Sequence, residues 1–567
     1  MKKLELLAPA GSLGTLKAAV YSGADSVYLG MNKFNAREYA TNFNEAYLKE
    51  AIKLCKSNNV KIYLTMNTLI KNCEIKAFLE QLKYAYEQGI DSVIIQDPCF
   101  IEIIRESFPG LRIHMSTQAG IMNSFHANLF SGADRINVAR ELDKTNIGLI
   151  RKKFNKEIEI FVHGALCACI SGSCLFSSLL GGRSGNRGKC AQPCRKLYNN
   201  SYLLSTKDLC LIEKIPEIIN LGINSVKIEG RMRTPYYVAT TTSIYRKAVD
   251  SFYKGKFEVT TEMKNKLRTS FLRDFTQGEF SNEYVFNPNQ VLKGSKIKEE
   301  MYEVKTNPIN IEKRRANIKE LKIKNKNSSG KQLIVRVYNE RDALIAEKYA
   351  DIIVLDLFHE NFKEIEKKLK KPIYAITPRI MFDSDIEKIT NKIKELSPNG
   401  LIAGNLGIMN MGFNLPIILD YNSNCFNDLQ LDYYQKLGAK PIMSQELSLN
   451  EIENFKNKDF IVFVHGKIRV MTLAHDLPEL KLKDEHGFNF YIKKIFNGVE
   501  ILNEKELGLF NQIKYMVKDG VNQLYVDTET NIDEILHIYR DILYDKVPKV
   551  SKLKKKYVLG WSRQGVL

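Results

Sequence analysis

The sequence predicts an α/β protein: an N-terminal (β/α)8 TIM-type barrel, a small irregular or β-rich middle module, and a second, diverged barrel-like α/β copy. Three observations predict it. Eight short β-branched runs alternate with amphipathic segments over residues 1–256, eight more follow from residue 331, and short motifs recur at matching places in the two halves. With 567 residues, 44% of them hydrophobic, the chain can build several cores.

The first eight strands are predicted at LELL (4–7), SVYL (26–29), KIYLTM (61–66), SVII (92–95), LRIHM (111–115), RINV (135–138), IEIFV (158–162) and SVKIE (225–229). Between them, NEAYLKEAIKLCKSN (44–58) and IEIIRESF (101–108) have helical period. Gly23, Gly89 and Gly132 stand just before strands, where glycine ends a helix without a Cβ penalty. Barrel sites form at the C-terminal ends of strands. There the sequence places Asn67 and Thr68, Gln96 and Asp97, Ser116 to Gln118, Arg140 and Glu141, His163 and Gly164, then Glu229, Gly230 and Arg231. That gathering of polar groups predicts a site at this rim.

Residues 257–330 are read as a small module followed by a basic connector, INIEKRRANIKELKIKNKNSSGK (309–331). A charge run of this kind is a solvated face or linker. The second copy occupies 331–547, with strands at LIVRV (333–337), IIVLD (352–356), PIYAI (372–376), GLIA (400–403), PIILD (416–420), KPIM (440–443), FIVFV (460–464) and NQLYV (522–526), and a basic tail fills 548–567. FVHG at 161–164 returns at 463–466, and LLSTKDLCLIEKI (203–215) parallels ILNEKELGLFNQI (501–513), the mark of an internal duplication. The second copy reads HGKIRVMTLAH where the first reads HGALCACISGS, and its only cysteine, Cys425, lies elsewhere. A structural or substrate-docking role follows for it. His163 recurs there as His465, so a structural histidine at a strand end competes with a catalytic one.

A formal net charge of +19 points to a polyanionic partner, RNA ahead of membrane, because no basic amphipathic anchor stands out. No run of about 18 apolar residues occurs and the start has no signal-peptide pattern, so a soluble, cytoplasmic protein is expected.

Five of the ten cysteines fall within HGALCACISGSCLFSSLLGGRSGNRGKCAQPCRKLY (163–198). In a reducing compartment such a cluster is metal-binding or catalytic rather than cross-linked. Cys167, Cys174, Cys190 and Cys194 are spaced C-x6-C-x15-C-x3-C, without the tight C-x2-C knuckles of structural zinc. An iron-sulfur site with four cysteine ligands fits this irregular spacing better than zinc. Arg183, Arg187, Lys189 and Arg195 would offset the thiolate charge, and amides of GGRSGNRG would donate to the sulfurs. Cys169 is either a competing ligand or a small buried hydrophobe.

These residues resemble peptidase family U32, the collagenase-like peptidases. The family signature matches EIFVHGALCACISGSCLFS at Glu159, Phe161, Gly164, Ala165, Leu166, Cys167, Gly172, Cys174 and Ser177, with Phe176 where an aliphatic residue is usual. ELLAPAG (5–11), GADSVYLG (23–30), GRSGNRGKCAQPCR (182–195) and KIEGR (227–231) are also family-like. The resemblance implies a 4Fe-4S cluster on Cys167, Cys174, Cys190 and Cys194. It also implies oxygen-independent hydroxylation of a pyrimidine in RNA, with prephenate as cosubstrate. The length resembles the branch acting at C5 of a cytidine in large-subunit rRNA; the other branch acts on a tRNA wobble uridine. On that reading Arg140, Lys227 and Arg231 bind a small anionic cosubstrate or phosphate, while Asn67, Gln96 and Gln118 line the substrate site. His163, Glu141 and Glu229 are then the proton-transfer candidates, and the target base must be unstacked to enter. Two other classes stay open. One is a peptidase, although no H-E-x-x-H helix or G-x-S-x-G elbow is present; the other is a non-catalytic iron-sulfur partner protein.

Overall fold

The computed structural model describes residues 3–271, 273–288, 301–546 and 557–566. They form two compact units: residues up to 172 together with 185–320, and residues 173–184 together with those from 321 onward.

The strands of the first unit are β1 (Glu5–Pro9), β2 (Ser26–Gly30), β3 (Lys61–Met66), β4 (Ser92–Ile95), β5 (Arg112–Met115), β6 (Arg135–Asn137), β7 (Glu157–Ala165), β8 (Asp208–Cys210), β9 (Ser225–Ile228) and β10 (Phe275–Thr276). β1 to β7 pair in parallel in chain order, and β9 pairs with both β7 and β1, which closes an eight-stranded parallel barrel. All eight predicted strands are present, with ends that differ by at most three residues. Leu7, Tyr28, Tyr63 and Ile94 form a buried cluster of this unit. The helix Glu45–Ser57 begins where Asn44 accepts the Tyr47 amide at 2.8 Å, a side-chain cap on an otherwise orphaned donor.

Gly89 ends its helix in the left-handed conformation (φ 103°), as expected of a glycine stop. Gly132 is there for space instead, since a Cβ at that position would lie 2.9 Å from Ile101 Cγ2.

The sequence division at 257 is not a boundary between compact units. The helix Thr261–Ser270 packs on the helix Pro235–Tyr253, and β10 pairs with β8. Fully buried Leu267 shows the cause, because this short segment covers its apolar side chains only against the barrel. The connector likewise differs from a free linker. Arg314 donates to the Ile90 carbonyl (2.9 Å), the Asn317 amide to the Ser107 carbonyl (2.8 Å), and Lys319 pairs with Glu106 (3.1 Å). Residues 289–300 of that stretch and 547–556 of the basic tail lie outside the described residues.

The second unit holds β11 (Gln332–Arg336), β12 (Ile352–Asp356), β13 (Ile373–Ile376), β14 (Gly400–Ala403), β15 (Ile417–Leu419), β16 (Ala439–Pro441), β17 (Val462–Leu473), β18 (Lys481–Lys483), β19 (Asn489–Ile495), β20 (Gly498–Gly508) and β21 (Gln523–Asp527). The parallel run β16-β15-β14-β13-β12-β11-β21-β17 curls, and a single bridge, Ile442 to Ile461, spans its two ends. β16 is three residues long and ends in Pro441, which has no N–H to extend a ladder. Beyond β17 the sheet continues as an antiparallel ribbon, β17-β20-β19-β18.

The duplication runs further than the repeated motifs. His163, Gly164 and Ala165 of β7 face Cys210, Leu209 and Asp208 of β8; His465, Gly466 and Lys467 of β17 face Gly508, Leu507 and Glu506 of β20. Thr276 of β10 lies beside Leu209, and Val558 lies beside Leu507 in the same parallel sense. Gly278 and Gly560 follow with φ of 58° and 52°. The end of the chain, read from sequence as a basic tail, thus repeats the segment after residue 270. Trp561, 6% exposed, is buried by it.

Candidate functional site

FVHG adopts one arrangement in both units, and that decides the environment of its histidine. His163 is 1% exposed, with ring centroids of Tyr245 at 5.5 Å and Phe275 at 5.3 Å, and the Tyr245 hydroxyl donates to the Val162 carbonyl at 2.8 Å. His465 has Tyr539 at 5.7 Å and Tyr557 at 5.0 Å, and Tyr539 donates to the Val464 carbonyl at 2.8 Å. Burial, helped by the nearby Arg233 charge, pulls the pKa of His163 down to about 3. An imidazole so enclosed, with its basicity pulled so low, packs the strand end and favours the structural alternative for His163 over the proton-transfer one.

The rim of the first barrel is built around Glu229, just past β9. Its carboxylate accepts from Arg37 Nη2 at 3.1 Å and Nε at 3.3 Å, and from the Tyr28 hydroxyl at 3.4 Å. Burial alone would raise its pKa, but Arg37, with Arg140 and Arg231 behind it, holds the group below the usual carboxylate range. Arg231 is 3% exposed and donates to Thr65 Oγ1 (3.0 Å) and Asn35 Oδ1 (2.9 Å), so its fork ties β3 to the loop after β2. Burial lowers its pKa to about 10, which leaves it charged at neutral pH. Arg140 donates to the Ala165 carbonyl (3.1 Å) and Ser171 Oγ (2.9 Å), bracing the start of the cysteine loop. The Nε atoms of Arg140 and Arg231 and the Oε1 atom of Gln96 are buried with no hydrogen-bond partner among the described residues. Each therefore retains bonding capacity at the rim.

The other candidates separate. Asn67 joins two loops, donating to Ser116 Oγ (2.9 Å) and accepting the Ala36 amide (3.1 Å). Gln96 donates to the Gln118 carbonyl at 3.3 Å, while the Gln118 side chain is half-buried. Glu141 is buried beside Arg140 in sequence, at the end of the β6 loop. Lys227 is not a rim group. It lies 5% exposed inside the barrel, paired with Glu159 at 3.0 Å and 4.3 Å above the Tyr28 ring, so its charge is already matched.

Below it runs a buried ion network that strand-end reasoning misses. Arg135, 2% exposed, contacts Glu5 (2.7 Å), Glu157 (2.8 Å) and Glu159 (3.1 Å). Burial would raise Glu5, but Arg135 prevails and brings its pKa to about 2. The signal was a charge within an otherwise apolar strand, as in EIEIFV and RINV. Arg37 was missed for another reason: the loop after β2, polar NAREYATNF, begins past the strand-end positions considered.

The cysteines divide between the units. Cys167 and Cys194 are half-buried and Cys190 is exposed in the first unit; Cys174 belongs to the segment 173–184 of the second. Arg195 donates to the Leu166 carbonyl (3.2 Å), Ser205 Oγ (2.9 Å) and Thr206 Oγ1 (2.8 Å), and burial lowers its pKa from the ordinary guanidinium value. Residues 185–190 are moored to the barrel loops. Arg187 pairs with Glu74 (2.7 Å), Lys189 with Glu38 (3.6 Å), and a Cβ on Gly188 would lie 2.1 Å from the Asn35 carbonyl oxygen. Arg187 and Lys189 are thus paired with carboxylates, whereas the hydrogen-bond partners of Arg195 are neutral. Cys169 is fully buried.

Among the described residues no three His, Cys, Asp or Glu side chains stand grouped to hold a metal ion. The cysteines suit an iron-sulfur cluster by donor chemistry and surroundings: thiols, a guanidinium, and the Gln192 amide donating to Cys190 Sγ at 3.3 Å. No helix among the described residues is long and apolar enough to cross a membrane.

Comparison with known proteins gives consistent relatives. Similar over about half of this chain are an uncharacterized protease of Methanocaldococcus jannaschii (41% identity, 49% of this chain, 73% of the relative) and tRNA hydroxylation protein P1 of Bacillus subtilis (38%, 44% and 64%). The 23S rRNA 5-hydroxycytidine synthase of Escherichia coli is 34% identical over 45% of this chain and 40% of its own length. A solved U32 peptidase structure aligns with 41% of this chain and 94% of its own at a TM-score of 0.32 and 17% identity. Residues 11–293 and 355–475 match peptidase family U32, well over half the chain and parts of both units, and the protein belongs to that family.

Proposed function

We propose that this chain hydroxylates a pyrimidine base in RNA, with a 4Fe-4S cluster on Cys167, Cys174, Cys190 and Cys194. The relatives named for tRNA hydroxylation and for rRNA 5-hydroxycytidine synthesis support RNA hydroxylation as the reaction. The finer reading is C5 of a cytidine in large-subunit rRNA, because the long C-terminal half resembles that branch; a tRNA wobble uridine is the second substrate. The observation that carries the proposal is the anchoring of the backbone next to Cys167 and Cys190, by Arg195 on the Leu166 carbonyl and by Gly188 against Asn35.

Such a cluster, when bound, supplies one-electron redox chemistry. The rest falls to the chain's own residues. Arg140 and Arg231 direct Nε donors, and Arg37 a partly exposed guanidinium, at a small anionic cosubstrate, for which prephenate is the compound proposed. Gln96 Oε1 is an acceptor suited to the amino group of cytosine. Glu229, ionised at neutral pH, takes the proton that leaves C5, and Glu141 is the alternative carboxylate. Replacing C5–H by C5–OH with water as the source of oxygen releases two electrons and two protons from base and water together, and the cosubstrate takes up the two electrons as net oxidant.

Mass spectrometry of nucleosides from ribosomal and transfer RNA tests this. A pyrimidine heavier by one oxygen should vanish on deletion of the gene and return with the wild-type gene, but not with Cys190→Ser. Unchanged nucleosides would overturn the proposal. Relatives named protease and collagenase favour a peptidase as the second reading, which gelatin cleavage surviving Cys190→Ser would support.

A further inference from the structure

The seam between β16 and β17 of the second unit holds a cavity of about 30 Å³. The Met443 amide, just past β16, donates to the Ile461 carbonyl (2.8 Å), and the terminal segment closes over the cavity with the Leu449 amide on the Ser562 carbonyl (3.0 Å). Leu447, Phe463 and Leu507 are among its apolar walls. Gln445, Trp561 and Ser562 also line it. Both polar atoms of the Gln445 amide, Trp561 Nε1 and Ser562 Oγ are buried with no hydrogen-bond partner among the described residues. Trp561 is 6% and Ser562 8% exposed. Buried polar atoms stay unmatched so rarely that four around one cavity call for an occupant. Among the described residues no charged side chain lines the space. Gln445 and Glu446 of SQEL (444–447) stand where the first copy has Arg140 and Glu141 of AREL (139–142), so the second copy carries an amide in place of a guanidinium.

We propose that this cavity receives the pairing edge of an unstacked pyrimidine of RNA, which gives the second unit a base-reading site of its own. The inference rests on the RNA-directed reading above and needs no cluster. An uncharged lining rejects phosphate and carboxylate, because nothing there would offset a buried charge. A carboxamide sets a donor beside an acceptor, the pattern that matches the adjacent donor and acceptor on the edge of a base. The Trp561 N–H adds a donor suited to a pyrimidine carbonyl, and the leucine walls suit the apolar flank of the ring. The small volume favours a single ring, entering edge first, over the fused rings of a purine.

The test uses the full-length chain and the uncharged nucleosides cytidine and uridine. Trp561 is the only tryptophan, so its emission under selective indole excitation reports on this cavity and is blind to the first barrel. At least one nucleoside should change that emission saturably, with an affinity that holds between low and physiological salt because the ligand carries no charge. Ribose should leave the emission unchanged, and adenosine should bind more weakly. Gln445→Met keeps the length of the side chain and removes two hydrogen bonds, so it should weaken binding roughly 5- to 150-fold. Wild-type emission that responds to neither nucleoside would overturn the inference and leave RNA hydroxylation to the nucleoside assay above. Equal affinity in a folded Gln445→Met protein would overturn it too, since apolar walls alone would then hold the base. If Gln445→Met does not fold, photocrosslinking of 4-thiouridine to the wild type decides. Adducts on the peptides of Gln445 or Trp561 support the pocket, and adducts confined to other peptides overturn it.

Discussion

Replacing Arg135 by leucine would leave Glu5, Glu157 and Glu159 facing one another inside the barrel without their shared cation. Removing one partner of a buried ion pair costs about 3–5 kcal/mol, and urea unfolding at pH 7 should show a loss of that size. The loss should shrink toward pH 5. Glu5 has a folded pKa near 2 only because Arg135 outweighs burial, so in the variant its pKa rises above that of the unfolded chain and protonation favours the folded state. His163 gives the opposite slope. Its folded pKa of about 3 lies below the ordinary value, so the unfolded chain binds the proton first. The stability it contributes is present above about pH 6.5 and is lost progressively down to about pH 3. His163→Gln should therefore flatten the fall in unfolding midpoint between pH 7 and pH 5, by about 1.4 kcal/mol per pH unit where the site dominates. The recurrence of His163 as His465 was legible as a structural signal in the chain itself. Which polar atoms at the rim stay unmatched was not, because that depends on partners such as Thr65 and Asn35, far from Arg231 in sequence.

Strands were the legible elements. Their β-branched runs survive as β1 to β7 and β9 nearly as written, since a buried parallel strand needs only local apolar continuity. The elements that escaped are those made by distant pairing. β10 is two residues long, and its counterpart at Val558 is a single bridge, so neither carries a periodic pattern. Their weight lies in what they bury. Trp561 is the only tryptophan of the chain, and Trp561→Ala should cost about 3–5 kcal/mol in a thermal or denaturant melt followed by circular dichroism. A loss below about 1 kcal/mol would mean that the terminal segment is an ornament on the second sheet. The open seam between β16 and β17 was equally hidden, because KPIM and FIVFV read as ordinary strands until Pro441 is placed at the edge.

For the whole molecule, the charge of +19 and the RNA-directed reading make a joint prediction. Binding to single-stranded RNA should weaken with salt, the logarithm of affinity falling by about 0.7 per contacted phosphate for each logarithmic unit of salt. Filter binding between low and physiological salt measures the slope, and a flat response would detach the charge from RNA recognition. The family was legible in about twenty residues around the cysteines, and the duplication in the repeated FVHG. Where the cysteine loop divides between the units was not, because residues 173–184 carry no boundary signal; only the place of Phe490, some way along the chain, gives them their surroundings.

That division has a bearing on synthesis. The ribosome releases Leu175 and Phe176 while the strands that cover them are still unwritten. At about 5–20 residues per second the wait lasts on the order of 15–60 s. During translation the greasy turn beside Cys174 stands bare until those later strands are made.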